Sequence, residues 1–268
     1  MSHLKLLQLA LVAGTSPFAL ANNPKSVTFA RYAVSVGLQY EIDAREITSN
    51  FSTGYVPQGS FSPSQYPSEL YGTEVFEVSE PLRRIAMSFA KTATLNDSAA
   101  AVAYRANYAS TSAYEVGTES PSVVACDTAT SDTFFSGTLL SEAFENTTSL
   151  LTNGSGVYCS SEQEDTATLG ALLRAAASKV VDFSRIIVMR TGSDFDRPYA
   201  GQPVTANLFY AKQGYGPGLQ NIYLAGIKVV QGILGGWNNT FEKGITATNY
   251  VGDIYGTLGG RPDFGPGG

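Results

Sequence analysis

Glu162-Gln163-Glu164-Asp165-Thr166-Ala167-Thr168, followed by the run from Val180 to Asp194, is the stretch on which the fold turns. An acidic cluster leads into an apolar helix, with Leu169, Leu172, Leu173 and Ala176 at helical spacing; a short turn at Lys179 to Asp182 precedes the buried run Ile186-Ile187-Val188-Met189. That run ends in Arg190-Thr191-Gly192-Ser193-Asp194. A strand-terminal carboxylate beside a helix-borne carboxylate is an active-site geometry for α/β sheets.

Outward from this core the chain keeps the same character. Val27 to Tyr32 and Ser122 to Cys126 read as buried strands, and Tyr40 to Ile47 as an extended segment before the Ser-, Gly- and Pro-rich loop Thr48 to Pro67. A loop of this length inside a compact domain is either functional or covers a site. Ser79 caps a helix carrying Glu80 and Pro81 in its first turn, Asn96-Asp97 restarts a second helix to about Tyr108, and Leu139 to Leu151 forms a third, stopped at Asn153-Gly154. Ile222 to Trp237 reads as an amphipathic or core helix, and the Gly- and Pro-rich tail after Asn249 as a surface coil.

Composition narrows the chemistry. The 268 residues are 43% hydrophobic and 15% charged with a net charge of −6, enough for one substantial core and opposed to a nucleic-acid surface, which needs a basic stripe. No segment has the uninterrupted apolar length of a membrane-spanning helix. Residues 1–21 read as a secretory signal: Lys5, an apolar stretch from Leu6 to Ala13, and the small-residue exit Ala19-Leu20-Ala21. Its removal takes His3, the one histidine, which disposes of imidazole-dependent hydrolysis and His-ligated metals; no metal site is expected. A secreted or cell-surface location follows, and the sequons at Asn50, Asn96, Asn146, Asn153 and Asn238 fit glycosylation on that route. Cys126 and Cys159 are an even pair in such a chain and favour a disulfide over two separate buried thiols.

Asp127 to Phe135, the Glu162 cluster and the Arg190 to Asp194 strand, in that order, resemble the three stations of the nucleoside phosphorylase and nucleosidase superfamily. More closely, Leu38-Gln39-Tyr40-Glu41-Ile42-Asp43-Ala44-Arg45-Glu46, Tyr71 to Val78, Leu140 to Thr148, Asp182 to Pro198 and Asn249-Tyr250-Val251-Gly252-Asp253 make residues 27–268 similar to the fungal purine nucleoside permease family. The resemblance implies an α/β fold with a mixed central sheet flanked by helices, nucleoside phosphorylase-like, over residues 22–268. It implies purine nucleosides as ligands, nucleoside uptake as context, and phosphorolysis of the N-ribosyl bond to free base and ribose 1-phosphate, with phosphate as co-substrate and no cofactor. A non-catalytic nucleoside-binding accessory and a structural or storage protein with a dead site are the rival readings, and an oligomer that completes the pocket is compatible with each.

By the same resemblance each station has a task. The leaving purine must be neutralised at N7 as the bond breaks, which a carboxylic acid can do, and Asp194 is that group. A carboxylate, a pure acceptor, holds both ribose hydroxyls; Glu164 matches that position, with Glu162 and Asp165 as neighbouring rivals. Phe134, or Phe135 one position on, stacks on the base, with Thr133 and Ser193 beside it. Arg190, Arg31 and Arg45 are weak candidates for an anion, because arginine as readily serves in scaffold salt bridges. The strand-rich portion with a Gly-rich phosphate loop that precedes the equivalent of Val27 in the superfamily is not recognisable here. The expectation is an N-terminally incomplete domain in which Val27 to Tyr32 and Val123 to Cys126 lack neighbours and expose an edge.

Overall fold

A computed structural model describes residues 11–12, 15–18, 26–36, 38–41, 55–131, 134–210 and 213–265. Its strands are β1 (Leu11–Val12), β2 (Thr15–Phe18), β3 (Val27–Ala30), β4 (Tyr32–Ser35), β5 (Leu38–Glu41), β6 (Tyr55–Pro57), β7 (Val75–Glu77), β8 (Val123–Ala125), β9 (Asp127–Thr130), β10 (Tyr158–Glu162), β11 (Ile187–Phe195) and β12 (Gly252–Asp253). Its α-helices are α1 (Glu80–Ala90), α2 (Ala99–Arg105), α3 (Thr138–Leu151), α4 (Asp165–Ala177), α5 (Val204–Phe209) and α6 (Tyr215–Gly235). None of the described helices is long and apolar enough to cross a membrane.

The principal sheet is mixed, in the order β12-β7-β4-β9-β10-β2-β11-β3-β8 with β1 also on β11, and β5 pairs with β6 apart from it. β4, β9 and β10 run parallel, whereas β11 runs parallel to β2 and antiparallel to β3. β3 therefore has β11 on one side and β8 on the other, so the expected bare edge at Val27 does not exist. The edge falls at β8, within the Val123 to Cys126 half of that expectation, and the strand is half-buried rather than buried because only one side of it is paired. The other surprise is at the start: β1 and β2 lie within the segment read as a leader, and β2 pairs with β10 and β11 at once.

Alternation along the strands decides which helix each residue meets. Val27 and Phe29 of β3 and Ile187 and Met189 of β11 pack with Leu82, Ala86 and Met87 of α1 and Ala225, Val229 and Ile233 of α6. Ala30 and Val188 point the other way, into Leu169 and Leu173 of α4 with Phe76 and Phe183. Each fully buried Leu or Phe in these layers stabilises the fold by roughly 1.5–3 kcal/mol. Ser79 caps α1 as the sequence indicates, accepting from Leu82 N–H, whereas the second helix starts later than Asn96-Asp97, with Ser98 as its cap accepting from Ala101 N–H. Where α6 crosses β11, a Cβ on Gly218 would stand 2.7 Å from the Gly192 carbonyl oxygen, so only glycine permits the approach. The tail is more than a surface coil, since β12 pairs with β7 and Phe264 packs edge-on against Tyr32.

Cys126, between β8 and β9, is bonded to Cys159 in β10, with the Cα atoms 5.8 Å apart. The bridge spans 33 positions of sequence, and constraining the unfolded chain by a loop of that size is worth about 3–4 kcal/mol. Reduction should lower the unfolding free energy by that amount in urea titrations, and the non-reduced protein should take up no alkylating reagent. Two alkylated thiols in the native protein would remove the bridge.

Candidate functional site

The first cluster gathers at the C-terminal ends of β9 and β10. Val188 points toward α4, so by alternation Arg190 does too, and its guanidinium, 2% exposed, meets the helix entrance. Its Nε donates to Asp165 Oδ2 at 3.2 Å, its NH2 group pairs closely with Asp165 Oδ1, and the same NH2 group stands 3.5 Å from both Glu162 Oε2 and Glu164 Oε2. One cation thus serves three acids. Their surroundings differ: Asp165 is fully buried, the Glu162 side chain is 1% exposed and the Glu164 side chain 63% exposed.

Glu162 closes β10 and turns inward. The Thr130 hydroxyl donates to its Oε1, while Oε2 accepts from the backbone N–H groups of Glu164 and, at 2.7 Å, Asp165. Thr130 Oγ1 in turn accepts from Thr166 N at 3.2 Å. Burial, and next the charge of Asp165, push the Glu162 carboxyl up to about 7 against the pull of Arg190. Asp165 is also raised, chiefly by burial, although Arg190 opposes the shift.

The second cluster lies at the far end of β11. Asp194 is four residues beyond Arg190, roughly 13 Å along an extended strand. A register shift against β2 between Gly192 and Asp194 interrupts the alternation there and re-aims the side chains that follow. Ser193 Oγ and Asp194 Oδ2 are 3.0 Å apart. The loop carrying Phe134 is braced against this end: Gly137 N donates to Asp196 O at 2.9 Å, and Asn207 Nδ2 donates to Phe195 O at 3.0 Å and Ser136 Oγ at 2.7 Å. Beneath it, Arg197 joins Asp196 at 3.0 Å to Glu145 of α3 at 2.6 Å, and the Tyr158 hydroxyl donates to Asp196 at 3.2 Å.

The adjacent phenylalanines part company. Phe135 is buried on Phe144, ring centroids 4.1 Å apart, whereas Phe134 is 44% exposed. Phe135 is thereby a core residue, and Phe134 is the ring with exposed surface. Thr133 and Arg45 lie outside the described residues, as does Asn50. Arg31 sits between β3 and β4, paired with buried Glu77 at 2.6 Å and with Asp263, and Arg190 is committed to Asp165. Neither presents an uncommitted guanidinium to an anion. Of the other sequons, Asn153 and Asn238 are exposed, while Asn96 and Asn146 are half-buried. A separate cleft of 340 Å³ lies between the loop after β6 and α3, lined by Ser35, Gln58, Tyr71, Glu74 and Thr147 among others; it includes none of the predicted site residues.

A family profile described as purine nucleoside permease matches residues 7–246. A purine nucleoside permease of Candida albicans is 42% identical over 246 residues, covering 89% of this chain and 60% of that protein. A Schizosaccharomyces pombe relative of the same permease description is 35% identical over 237 residues, covering 85% of this chain and 66% of its own. The chain thus spans about 60% of the length of the Candida relatives it matches. Among solved structures, it is similar to a 5'-methylthioadenosine/S-adenosylhomocysteine nucleosidase from Neisseria meningitidis, with TM-score 0.39 and 11% identity over 84% of this chain and 68% of that one. Purine nucleoside phosphorylase from Toxoplasma gondii gives TM-score 0.36 and 13% identity over 81% and 60%. The family match begins at residue 7, ahead of both β1 and β2.

Proposed function

The chain belongs to the purine nucleoside permease family, and on that premise we propose that it binds purine nucleosides in support of their uptake. The observation that carries this reading is the placement of three neighbouring acids: Glu162 and Asp165 are buried around Arg190, and Glu164 alone stands out at the helix entrance with 63% of its side chain exposed. An exposed carboxylate on a rigid base is suited to accept from two vicinal hydroxyls, which a ribose supplies and a free base does not. The half-exposed Phe134 offers a face for the purine. The disulfide supports an oxidising, secretory-route location.

Glu164→Gln should therefore weaken inosine binding by about 1.5–3 kcal/mol, the scale of a hydrogen bond to a charged group, and affect free hypoxanthine far less. Calorimetry measures both ligands. Equal losses would take Glu164 out of the ribose role.

A second reading adds cleavage of the N-ribosyl bond by phosphorolysis, and Asp194 favours it. The side chain sits at a strand irregularity beside Ser193, the sort of feature that re-aims a group toward a reacting centre. Asp194 would deliver a proton to N7 as phosphate attacks the sugar carbon, releasing base and ribose 1-phosphate. The phosphate would be held by groups other than Arg31 and Arg190, given their ion pairs. Incubation with inosine separates the readings: free base only when phosphate is present supports phosphorolysis, base without phosphate supports hydrolysis, and saturable binding without base leaves a carrier.

A further inference from the structure

Glu164 makes one weak side-chain contact among the described residues, the 3.5 Å approach to Arg190, and its side chain does not cap its own helix. Its backbone is held far more firmly. A helix start leaves N–H groups without partners inside the helix, and here the acceptor for the first of them comes from the strand below. Glu162 Oε2 receives the N–H groups of Glu164 and Asp165 together, and Thr130 anchors the other oxygen. A buried carboxylate at a helix N-terminus also meets the positive end of the helix dipole.

We propose that Glu162 is the positioning residue of this site: it fixes the backbone from which Glu164 projects, and its protonation state sets how firmly that backbone is held. The inference rests on the nucleoside reading for what Glu164 binds, but its own content is the link from Glu162 to the α4 entrance. The charged and titratable groups that face Glu162 among the described residues are Asp165 and Glu164 from α4 and its entrance and Arg190 from β11, with the Thr130 hydroxyl from β9. A single guanidinium cannot neutralise three carboxylates gathered this close, so one proton stays in the cluster near neutrality. Glu162 carries it, because Asp165 has the closer, bidentate hold on Arg190 and Glu164 has solvent.

The two forms of Glu162 hold the helix differently. The ionised carboxylate offers full acceptor strength to both backbone N–H groups and to Thr130. The neutral acid is a weaker acceptor and must donate its proton, most directly to Thr130 Oγ1, which already receives Thr166 N. Acidification therefore loosens the Glu164 entrance, and nucleoside affinity should fall about tenfold through the midpoint and level off at the affinity of the neutral form. The substitution Glu162→Gln mimics the neutral acid, with an amide oxygen in place of the carboxylate.

The test is nitrogen-15 NMR of the full chain together with inosine calorimetry between pH 5.5 and 8.5, on the wild-type protein, Glu162→Gln and Glu164→Gln. The backbone amide signals of Glu164 and Asp165 should titrate together with a midpoint close to 7, and the titration should vanish in Glu162→Gln while it persists in Glu164→Gln. Inosine affinity of Glu162→Gln should be flat with pH, matching the wild type near pH 6 and falling about tenfold or more below it at pH 8. Flat wild-type amides, or a titration unchanged in Glu162→Gln, would overturn the role of Glu162 whatever the calorimetry gives. Titrating amides in a protein that binds no inosine would instead uphold Glu162 and sink the nucleoside reading. Should Glu162→Gln prove unfolded by circular dichroism, Thr130→Val, which removes only one partner of Glu162, should shift the amide midpoint, and an unshifted midpoint would again overturn the proposal.

Discussion

A chain that starts at Asn22 should fail to fold. The deletion removes β1 and β2, and β2 is the strand on which the sheet depends, since it pairs with β10 through Phe18 and with β11 through Thr15, Ser16, Pro17 and Phe18. Without it the sheet divides into β12-β7-β4-β9-β10 and β11-β3-β8. Each fragment gains a raw edge at its former centre, where unpaired N–H and C=O groups either cost desolvation or recruit another chain. The apolar layer under α4, where Phe76 of β7 meets Ala30 and Val188, and the ion pair between Arg190 and Asp165 would then have to hold the halves together without the backbone bonds of the central strand. The expected result is insoluble protein, or soluble protein that binds a hydrophobic dye and melts without a cooperative transition. Intact folded protein should keep residues 11–18 when its mass and N-terminal sequence are read. A cooperative transition for the shortened chain matching that of the full one, or a mature N-terminus at Asn22, would make the segment a dispensable leader.

That segment also marks where sequence reasoning stops. Leu6 to Ala13 is apolar and is followed by small residues, a composition that suits a leader and a sheet strand alike, and the described pairs of β1 and β2 fall in the same segment. Ile187-Val188-Met189 posed no such problem, because a strand covered on both faces reads as a continuous apolar run, and α4 and α6 cover it. The cluster at 162–165 was legible as a place but not as roles: burial separates Glu162, the last strand residue, from Glu164, which lies outside the helix proper. Likewise Phe134 and Phe135 differ only in which side of a loop they leave. The partner of Asp165 is 25 residues away on β11, and no local spacing announces it. The register shift beside Asp194 is silent in sequence for the same reason, since it belongs to a pair of strands and not to either one.

Replacing Arg190 by methionine should cost about 3–5 kcal/mol of stability, the range for stripping a buried ion pair of one partner. The shape of the side chain is roughly kept, so packing contributes little to the loss. What remains is Asp165, fully buried, beside Glu162, 1% exposed, with no cation between them. The cost should depend on pH in a definite direction. In the native protein burial already raises Glu162 from the usual carboxylate range to about 7, so folding takes up a proton between those values and stability falls as pH rises through that window. Losing Arg190 lifts both acids further. The variant should then lose stability more steeply, and the deficit relative to wild type should be larger at pH 8 than at pH 5, where protonation relieves the two acids left without Arg190. Arg190→Lys should recover only part of the loss, because an ammonium cannot reproduce the two-pronged hold on Asp165 while also reaching Glu162 and Glu164. Pairing Arg190→Met with Asp165→Asn removes the orphaned charge and should restore more stability than the lysine does, a non-additivity expected of directly contacting groups. Urea titrations at the two pH values decide the matter: a deficit below about 1 kcal/mol, the scale of an exposed pair, or one identical at pH 5 and pH 8, would mean that the cluster is solvated and that its acids do not depend on Arg190.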